Sequence, residues 1–260
     1  MTLDFSPPLL SLRGLIVWKR HFYVWWKVLG PSLLANFGEP LFYLLALGYG
    51  LGGMVGPVQG MDYMAFLATG IVCSNAMNTA TLEGMYAAFT RLAMQRTWDA
   101  MLAAPLTLDD IVLGEITWCA TRSVISCAAI FVVATLLSPV QWSAFVPVML
   151  LVFITGFCFG AMALVVTAFA KNYDFFLYYF TLVITPLMLL SGVFFPLDSM
   201  PLWIQGAAQA LPLSHAVNIA RPLMTGTPLD NPLLHIGVIL AYGMAATYIA
   251  IVLMRRRMLV

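Results

Sequence analysis

The sequence predicts an all-α integral membrane protein with six spans and both termini cytoplasmic, and three observations carry that prediction. Of 260 residues, 62% are hydrophobic and only 9% charged, with a mean hydropathy of +0.93. Six windows hold the roughly 20 mostly apolar residues that a helix needs to cross a bilayer. The lysines and arginines gather in alternate connections between those windows.

Composition sets the class. A soluble domain carries about 25% charged residues, and a chain this apolar has too few polar residues to cover a soluble core. The net charge of +1 makes no case for nucleic acid as a partner. Cys73, Cys119, Cys127 and Cys158 all fall inside apolar segments, with no CxxC pair and no nearby histidine. They read as small apolar fillers rather than a metal or redox site. Asp4, Pro7 and Pro8 stand where a signal peptide would have a basic leader. Lys19, Arg20 and Lys27 then interrupt any apolar core, so no cleaved signal is expected.

The first element is an amphipathic helix within a cytoplasmic segment, residues 1–30. Arg13, Arg20 and Lys27 recur every seven residues as one basic stripe, while Leu15, Trp18, Phe22, Trp25 and Leu29 cover roughly the opposite face. That pattern suits a helix lying in the membrane interface, aromatics among the headgroups and cations toward water. A disordered leader is the alternative.

The spans follow at about 31–53, 62–88, 111–136, 144–169, 175–195 and 232–254, forming one membrane domain over 31–254. Ten cations (Arg13, Lys19, Arg20, Lys27, Arg91, Arg96, Lys171, Arg255, Arg256 and Arg257) fall on one side, and only Arg221 on the other. The side rich in cations is cytoplasmic, which orients the chain N-in, C-in and makes 255–260 a basic cytoplasmic tail. Glu39 beside Pro40 and Pro186 in the fifth window mark possible kinks.

Between spans two and three lies a polar insert, TWDAMLAAPLTLDD. Arg96–Ala103 is a short helix candidate offering Trp98, Met101 and Leu102 as a docking surface. Pro105 ends it, Thr107 is an N-cap candidate, and Asp109 and Asp110 fall in the first turn of the next helix. Between spans five and six, Leu202–Leu211 and Ser214–Leu223 are two short helices on the outer side. They either dip into the outer leaflet or fold as an external loop.

Ionisable groups inside spans are costly and face protein or water. Glu39, Glu83, Glu115 and Arg122 are the candidates, all on the cytoplasmic half at about 1.5 Å per helical residue. The expectation is an ion-pair network joining spans one, two and three, with Arg122 bound to Glu39 or Glu83. It serves either as a structural staple or as a substrate-reading site. Ser74, Asn75, Asn78 and Thr81 on span two bond neighbouring helices or line a substrate route. Tyr178 and Tyr179 on span five line such a route or form an interfacial belt. His215, Asn218 and Arg221 outside are candidates for a headgroup contact or for loop packing. No Ser–His–Asp grammar, HExxH or carboxylate pair with catalytic spacing is present, so neither a catalytic nor a metal site is expected.

Three segments carry a family resemblance: Thr97–Glu115 (TWDAMLAAPLTLDDIVLGE), Leu189–Gln205 (LLSGVFFPLDSMPLWIQ) and Leu211–Gly226 (LPLSHAVNIARPLMTG). With six spans and an N-terminal amphipathic helix, they make the chain resemble the permeases of type-2 ABC exporters. The branch it looks like is that of nodulation-type lipo-oligosaccharide exporters, which includes drug-export relatives. The resemblance implies a homodimer in the inner membrane, joined to two cytoplasmic ATPase subunits that bind ATP and Mg. Residues 91–104 would be the coupling helix, through Arg96, Thr97, Trp98, Asp99, Met101 and Leu102, and 196–226 the external helices. The substrate would be an amphipathic, lipid-linked or lipo-oligosaccharide-like molecule, with export of a drug as the runner-up. A polytopic membrane enzyme or an ion-coupled transporter is the rival from another class.

One feature of the residues agrees independently. A P-loop needs a glycine-rich turn and a lysine followed by Ser or Thr. The three lysines, Lys19, Lys27 and Lys171, are followed by Arg, Val and Asn. Nucleotide energy is therefore expected from another subunit, and no cofactor is expected on this chain.

Overall fold

The structure is a computed structural model that describes residues 6–8 and 11–259, without the side chains at 31–40, 51 and 259. It is helical throughout, with no strand among the described residues beyond an isolated bridge between Val58 and Met61.

α1 (Gly14–Trp26) leads into α2 (Leu29–Val55), and α3 (Tyr63–Leu82) continues through two π-helical turns at Glu83–Ala87 and Thr90–Met94. α4 (Thr97–Leu102) is short, and α5 (Leu108–Leu137) and α6 (Phe145–Phe169) are long. α7 (Asp174–Tyr179) passes through a π turn at Phe180–Ile184 into α8 (Thr185–Leu190). α9 (Leu202–Ala208), α10 (Pro212–Thr225) and α11 (Pro232–Leu259) complete the chain.

Among the described residues, three stretches are long and apolar enough to cross a membrane: Leu108–Leu137, Trp142–Phe169 and Pro232–Met258. α3 is not among them, and its environment explains why. It is the hub of the bundle, packed against α2, α5, α6 and α10. Every residue from Tyr63 to Thr81 is buried except the half-buried Asn78. A helix that faces protein on all sides carries Ser, Asn and Thr without meeting lipid.

The fifth window, 175–195, is helical only to Leu190. Ser191 Oγ bonds back to Leu187 O, and Gly192 turns the chain at φ +74°, a conformation that favours glycine. Asp174–Leu190 thus lies at the short end of the roughly 17–25 residues of a full span. Its expected kink at Pro186 is prepared one turn earlier by the π turn. There Phe180 O accepts the π-turn bond from Thr185 N and a second bond from Thr185 Oγ1 at 3.1 Å.

The two short helices expected on the outer side have different bounds, because Pro212 opens the second of them at its first turn and Gly226 closes it at φ +74°. The basic tail also needs correction. α11 runs unbroken to Leu259, and Arg255 is buried. Its guanidinium meets the Asp109 carboxylate, with Nε–Oδ1 at 2.9 Å, and its Nη1 donates to Ser6 O at 3.0 Å. Arg257 donates to the carbonyls of Thr167 and Ala168 at the end of α6. Arg255 and Arg257 thus bind carboxylate and carbonyl groups of other elements, while Arg256 between them is exposed.

α1 is corrected in its orientation. The face it buries is Gly14, Val17, His21 and Trp25, which lies against α5. Leu15, placed on the apolar face by the heptad reading, is exposed with Ile16, Tyr23, Val24 and Trp26. The cause is a close crossing. A Cβ at Gly114 would stand 2.7 Å from Gly14 O and 2.6 Å from Val17 Cβ. Only two facing glycines let the backbones approach so nearly. Trp18 Nε1 seals the contact on Thr121 Oγ1 at 2.9 Å.

Candidate functional site

Four elements converge on one buried cluster of charge: α1, the π-helical end of α3, α4, and the first turns of α5. The first turns of α5 are positioned by a capping box. Thr107 Oγ1 accepts from Asp110 N at 3.2 Å, and Asp110 Oδ2 accepts from Thr107 N at 2.9 Å. About two turns further, α5 begins to present Glu115, Trp118 and Arg122 along one stripe.

Glu115 is fully buried and carries the cluster. Arg91 grips it with two parallel bonds, Nη2 to Oε2 at 2.6 Å and Nε to Oε1 at 3.0 Å. Trp98 Nε1 donates to the same Oε1 at 3.1 Å, and His21 Nε2 lies 3.1 Å from it. Glu83 forms the second centre. Its Oε1 accepts from Arg91 Nη1 at 3.0 Å and from Trp118 Nε1 at 3.0 Å. Arg122 Nε lies 3.5 Å from Glu83 Oε2, within ion-pair range but outside hydrogen-bond geometry.

Arg91 bridges both carboxylates because the chain here is not a regular α-helix. Each π turn widens the helical repeat and shifts every face beyond it. Burial opposes the charge on Arg91, but Glu115 and then Glu83 hold its guanidinium above the ordinary value. A bidentate Arg–carboxylate pair with its remaining lone pairs met is the geometry in which burial is tolerated.

The sequence named Glu83, Glu115 and Arg122, and the structure brings all three together. The side chain of Glu39 lies outside the described residues. Arg91 and His21 were missed as members. Arg91 sits beyond the apolar window and counts there only as a topology signal. The available clue was spacing, since Glu83 and Arg91 frame a stretch that carries no other charge.

α4 also differs from the expected docking helix. Trp98 is wholly buried, Met101 nearly so, and Leu102 packs beside them against the apolar base of α5. These three face inward because burying them is worth more than displaying them. The exposed face is instead Gln95, Arg96, Asp99, Ala100 and Ala103, with Thr97 half-buried. Arg96 turns the chain into α4 in the left-handed region at φ +48°, an uncommon conformation for a side-chain-bearing residue.

The remaining candidates lie apart from this cluster, with Asn218 sharing one cavity with Arg221 and another with His215. Asn75 Nδ2 bonds Ser126 Oγ at 2.9 Å, tying α3 to α5, and Ser74 bonds Ile71 O within its own helix. Asn78 Oδ1 and Thr81 Oγ1 are buried without a partner among the described residues. Tyr178 is exposed, while Tyr179 packs on the core. Arg221 donates to Gly192 O at 2.8 Å and to Thr69 Oγ1 at 3.2 Å, with its guanidinium stacked on Phe66. His215 Nε2 meets Gln209 O, and its Nδ1 meets His235 Nδ1 at 2.6 Å. Asn218 is exposed on a cavity of about 480 Å³ shared with Asp198, Gln209 and Asp230.

Comparison with known proteins adds a second line. The family described as ABC-2 type transporter matches residues 14–225. Nodulation protein J of Rhizobium leguminosarum bv. trifolii is 46% identical over 96% of this chain and 95% of its own. Nodulation protein J of Rhizobium meliloti is 42% identical over 97% of this chain and 96% of its own. The inner membrane transport permease YadH of Escherichia coli is 25% identical, covering 76% of each chain.

Proposed function

The chain belongs to the ABC-2 type transporter family, and from that premise we propose that it is the membrane-spanning subunit of an ATP-driven exporter. Two copies form the pathway in the inner membrane, each with six spans and both termini cytoplasmic. Two separate ATPase subunits hold ATP and Mg and dock on the face of α4 formed by Gln95, Arg96, Asp99, Ala100 and Ala103. The cargo is an amphipathic, lipo-oligosaccharide-like molecule. The names of the nodulation relatives and the three segments discussed above support that choice.

One observation carries the mechanism: Trp98 connects α4 to Glu115, and Glu115 connects through Arg91 and His21 to α3 and α1. A displacement of α4 by closing ATPase subunits is passed to three helices through charge-assisted bonds rather than through a flexible loop. Conformational closure on the partner thereby becomes movement of the bundle, and hydrolysis resets it.

The test is affinity purification of the tagged chain from its native membrane, with identification of what co-purifies. A P-loop ATPase should be recovered stoichiometrically with the wild type and be lost with Arg96→Glu combined with Ala100→Glu, both on the exposed face. Recovery of no ATPase with the wild type would overturn the reading.

A further inference from the structure

A cavity of about 360 Å³ opens beside the buried cluster, between α1, the π-helical end of α3, and α5. Arg20, His21, Arg91 and Arg122 line it, together with Glu83, Thr90, Gln95 and the rings of Trp25 and Trp118. Among the described residues, three guanidinium groups here face two carboxylates, Glu83 and the buried Glu115, which leaves one positive charge in excess. The excess is localised. Arg91 uses Nε, Nη1 and Nη2 on Glu115 and Glu83. Arg122 is different: its Nε and Nη1 are buried with no hydrogen-bond partner among the described residues. Its guanidinium stands 5.6 Å from the Trp25 ring. Among the described residues, Arg20 makes one hydrogen-bond contact, to His21 Nδ1 at 3.5 Å.

Buried donors on a charged group that lack an acceptor are costly, by more than a neutral donor in the same position. Arg122 therefore presents unmet donors to a space that Arg20 also lines, and this space is too polar to stay dry and, among the described residues, holds no carboxylate beyond those already engaged. Burial and the neighbouring charge of Arg91 both work against the charge on Arg20, a penalty that an anion in the cavity relieves. Val24 of α1 also lines the cavity, and α1 further exposes Tyr23 and Trp26, aromatic residue types that belong at headgroup level. Basic pockets between helices at that level take lipid headgroups.

We propose that this cavity is a binding site for a phosphate-type oxyanion, held by Arg20 and Arg122 against the Trp25 and Trp118 rings. The anion is carried by the headgroup of an amphiphile or arrives as free phosphate. Two guanidiniums from different helices make a fork for its oxygens, and the indole rings cover the adjoining carbons. Occupancy ties α1 to α5 through the ligand, so the site is placed to sense what lies in the adjacent leaflet. Which leaflet that is rests on the orientation proposed above; the binding itself does not.

Purified full-length protein in an uncharged detergent is titrated with dihexanoyl-phosphatidylglycerol, dihexanoyl-phosphatidylcholine and inorganic phosphate, with binding read by calorimetry. Saturable binding of the phosphatidylglycerol is expected, with at least tenfold weaker binding of the zwitterionic lipid. Arg20→Gln, which removes no ion pair, should weaken it at least fivefold. Arg122→Lys, which keeps the charge but loses the fork, should also weaken it. Competition by inorganic phosphate at comparable concentration assigns the site to a free anion, and its failure to compete assigns it to a headgroup. Equal binding of both lipids, or unchanged affinity in a monodisperse Arg20→Gln protein, overturns the proposal. Because no ATPase is present in this assay, its failure is separable from failure of the exporter reading.

Discussion

Trp98 of α4 donates its indole N–H to Glu115 of α5 across 3.1 Å, and the acceptor is the oxygen that Arg91 also grips from the end of α3. The residue that looks most like a docking knob on a surface helix is thus an internal connector. A hydrogen bond to a charged group contributes about 1.5–3 kcal/mol. Trp98→Phe keeps most of the buried ring and deletes only the donor. The expected result is a folded protein that still retains its ATPase partner but loses transport-dependent stimulation of ATP hydrolysis. Pull-down and ATPase assays on one preparation read both effects. Trp98→Ala adds a cavity costing about 3–5 kcal/mol, and should lower the unfolding temperature as well.

Glu115 holds Arg91 in place, so its removal leaves a buried guanidinium short of its main partner. Breaking one side of a buried pair costs about 3–5 kcal/mol, whereas replacing both sides by apolar groups is often neutral. Glu115→Ala should therefore unfold well below the wild type in detergent. Glu115→Leu combined with Arg91→Met should recover much of the loss. Thermal unfolding of single and double variants decides this, and additive effects would count against direct coupling.

The pH response of this pair follows from its sign. A raised guanidinium value in the folded state contributes stability that is present below the unfolded value of about 12.5–13.8 and lost only above it. Between about pH 6 and pH 9, Arg91 should contribute no pH-dependent stability. An unfolding temperature that falls in Arg91→Met by the same amount at both ends of that range would agree.

Gly114 allows α1 to lie on α5. With Val17 Cβ and Gly14 O under 3 Å from a Cβ at that position, Gly114→Val should lift α1 away while leaving the rest of the bundle assembled. Faster hydrogen exchange confined to residues 14–26 is the expected readout. The same variant should weaken phosphatidylglycerol binding, since Arg20 and His21 move with α1.

Asp109 and Arg255 join the start of α5 to the end of α11. Arg255→Ala leaves Asp109 buried without its main charge partner, so a loss of about 3 kcal/mol is expected. Arg256, exposed on the same turn, should change stability by less than about 0.5 kcal/mol when replaced by Ala. A comparison of the two by thermal unfolding tests whether the C-terminal cations act as a structural clasp.

What the sequence determined by itself was what depends on composition and local order. The class of protein follows from too little charge to cover a soluble core. The boundary before α5 was legible because Thr107 and Asp110 close a capping box within four residues. The candidate carboxylates stood out because a charge in an apolar run has few permitted environments. Tertiary structure alone decided which way side chains turned and who met whom. Trp98 turned inward because α5 offered an apolar wall and a carboxylate 17 residues away along the chain. Arg91 joined Glu83 and Glu115 because two π turns changed the helical repeat, and a periodicity reading assumes that repeat is constant. α1 took its buried face from two glycines that meet only when the helices cross. Pairing energies of this kind depend on distances in space, and a linear pattern does not contain them.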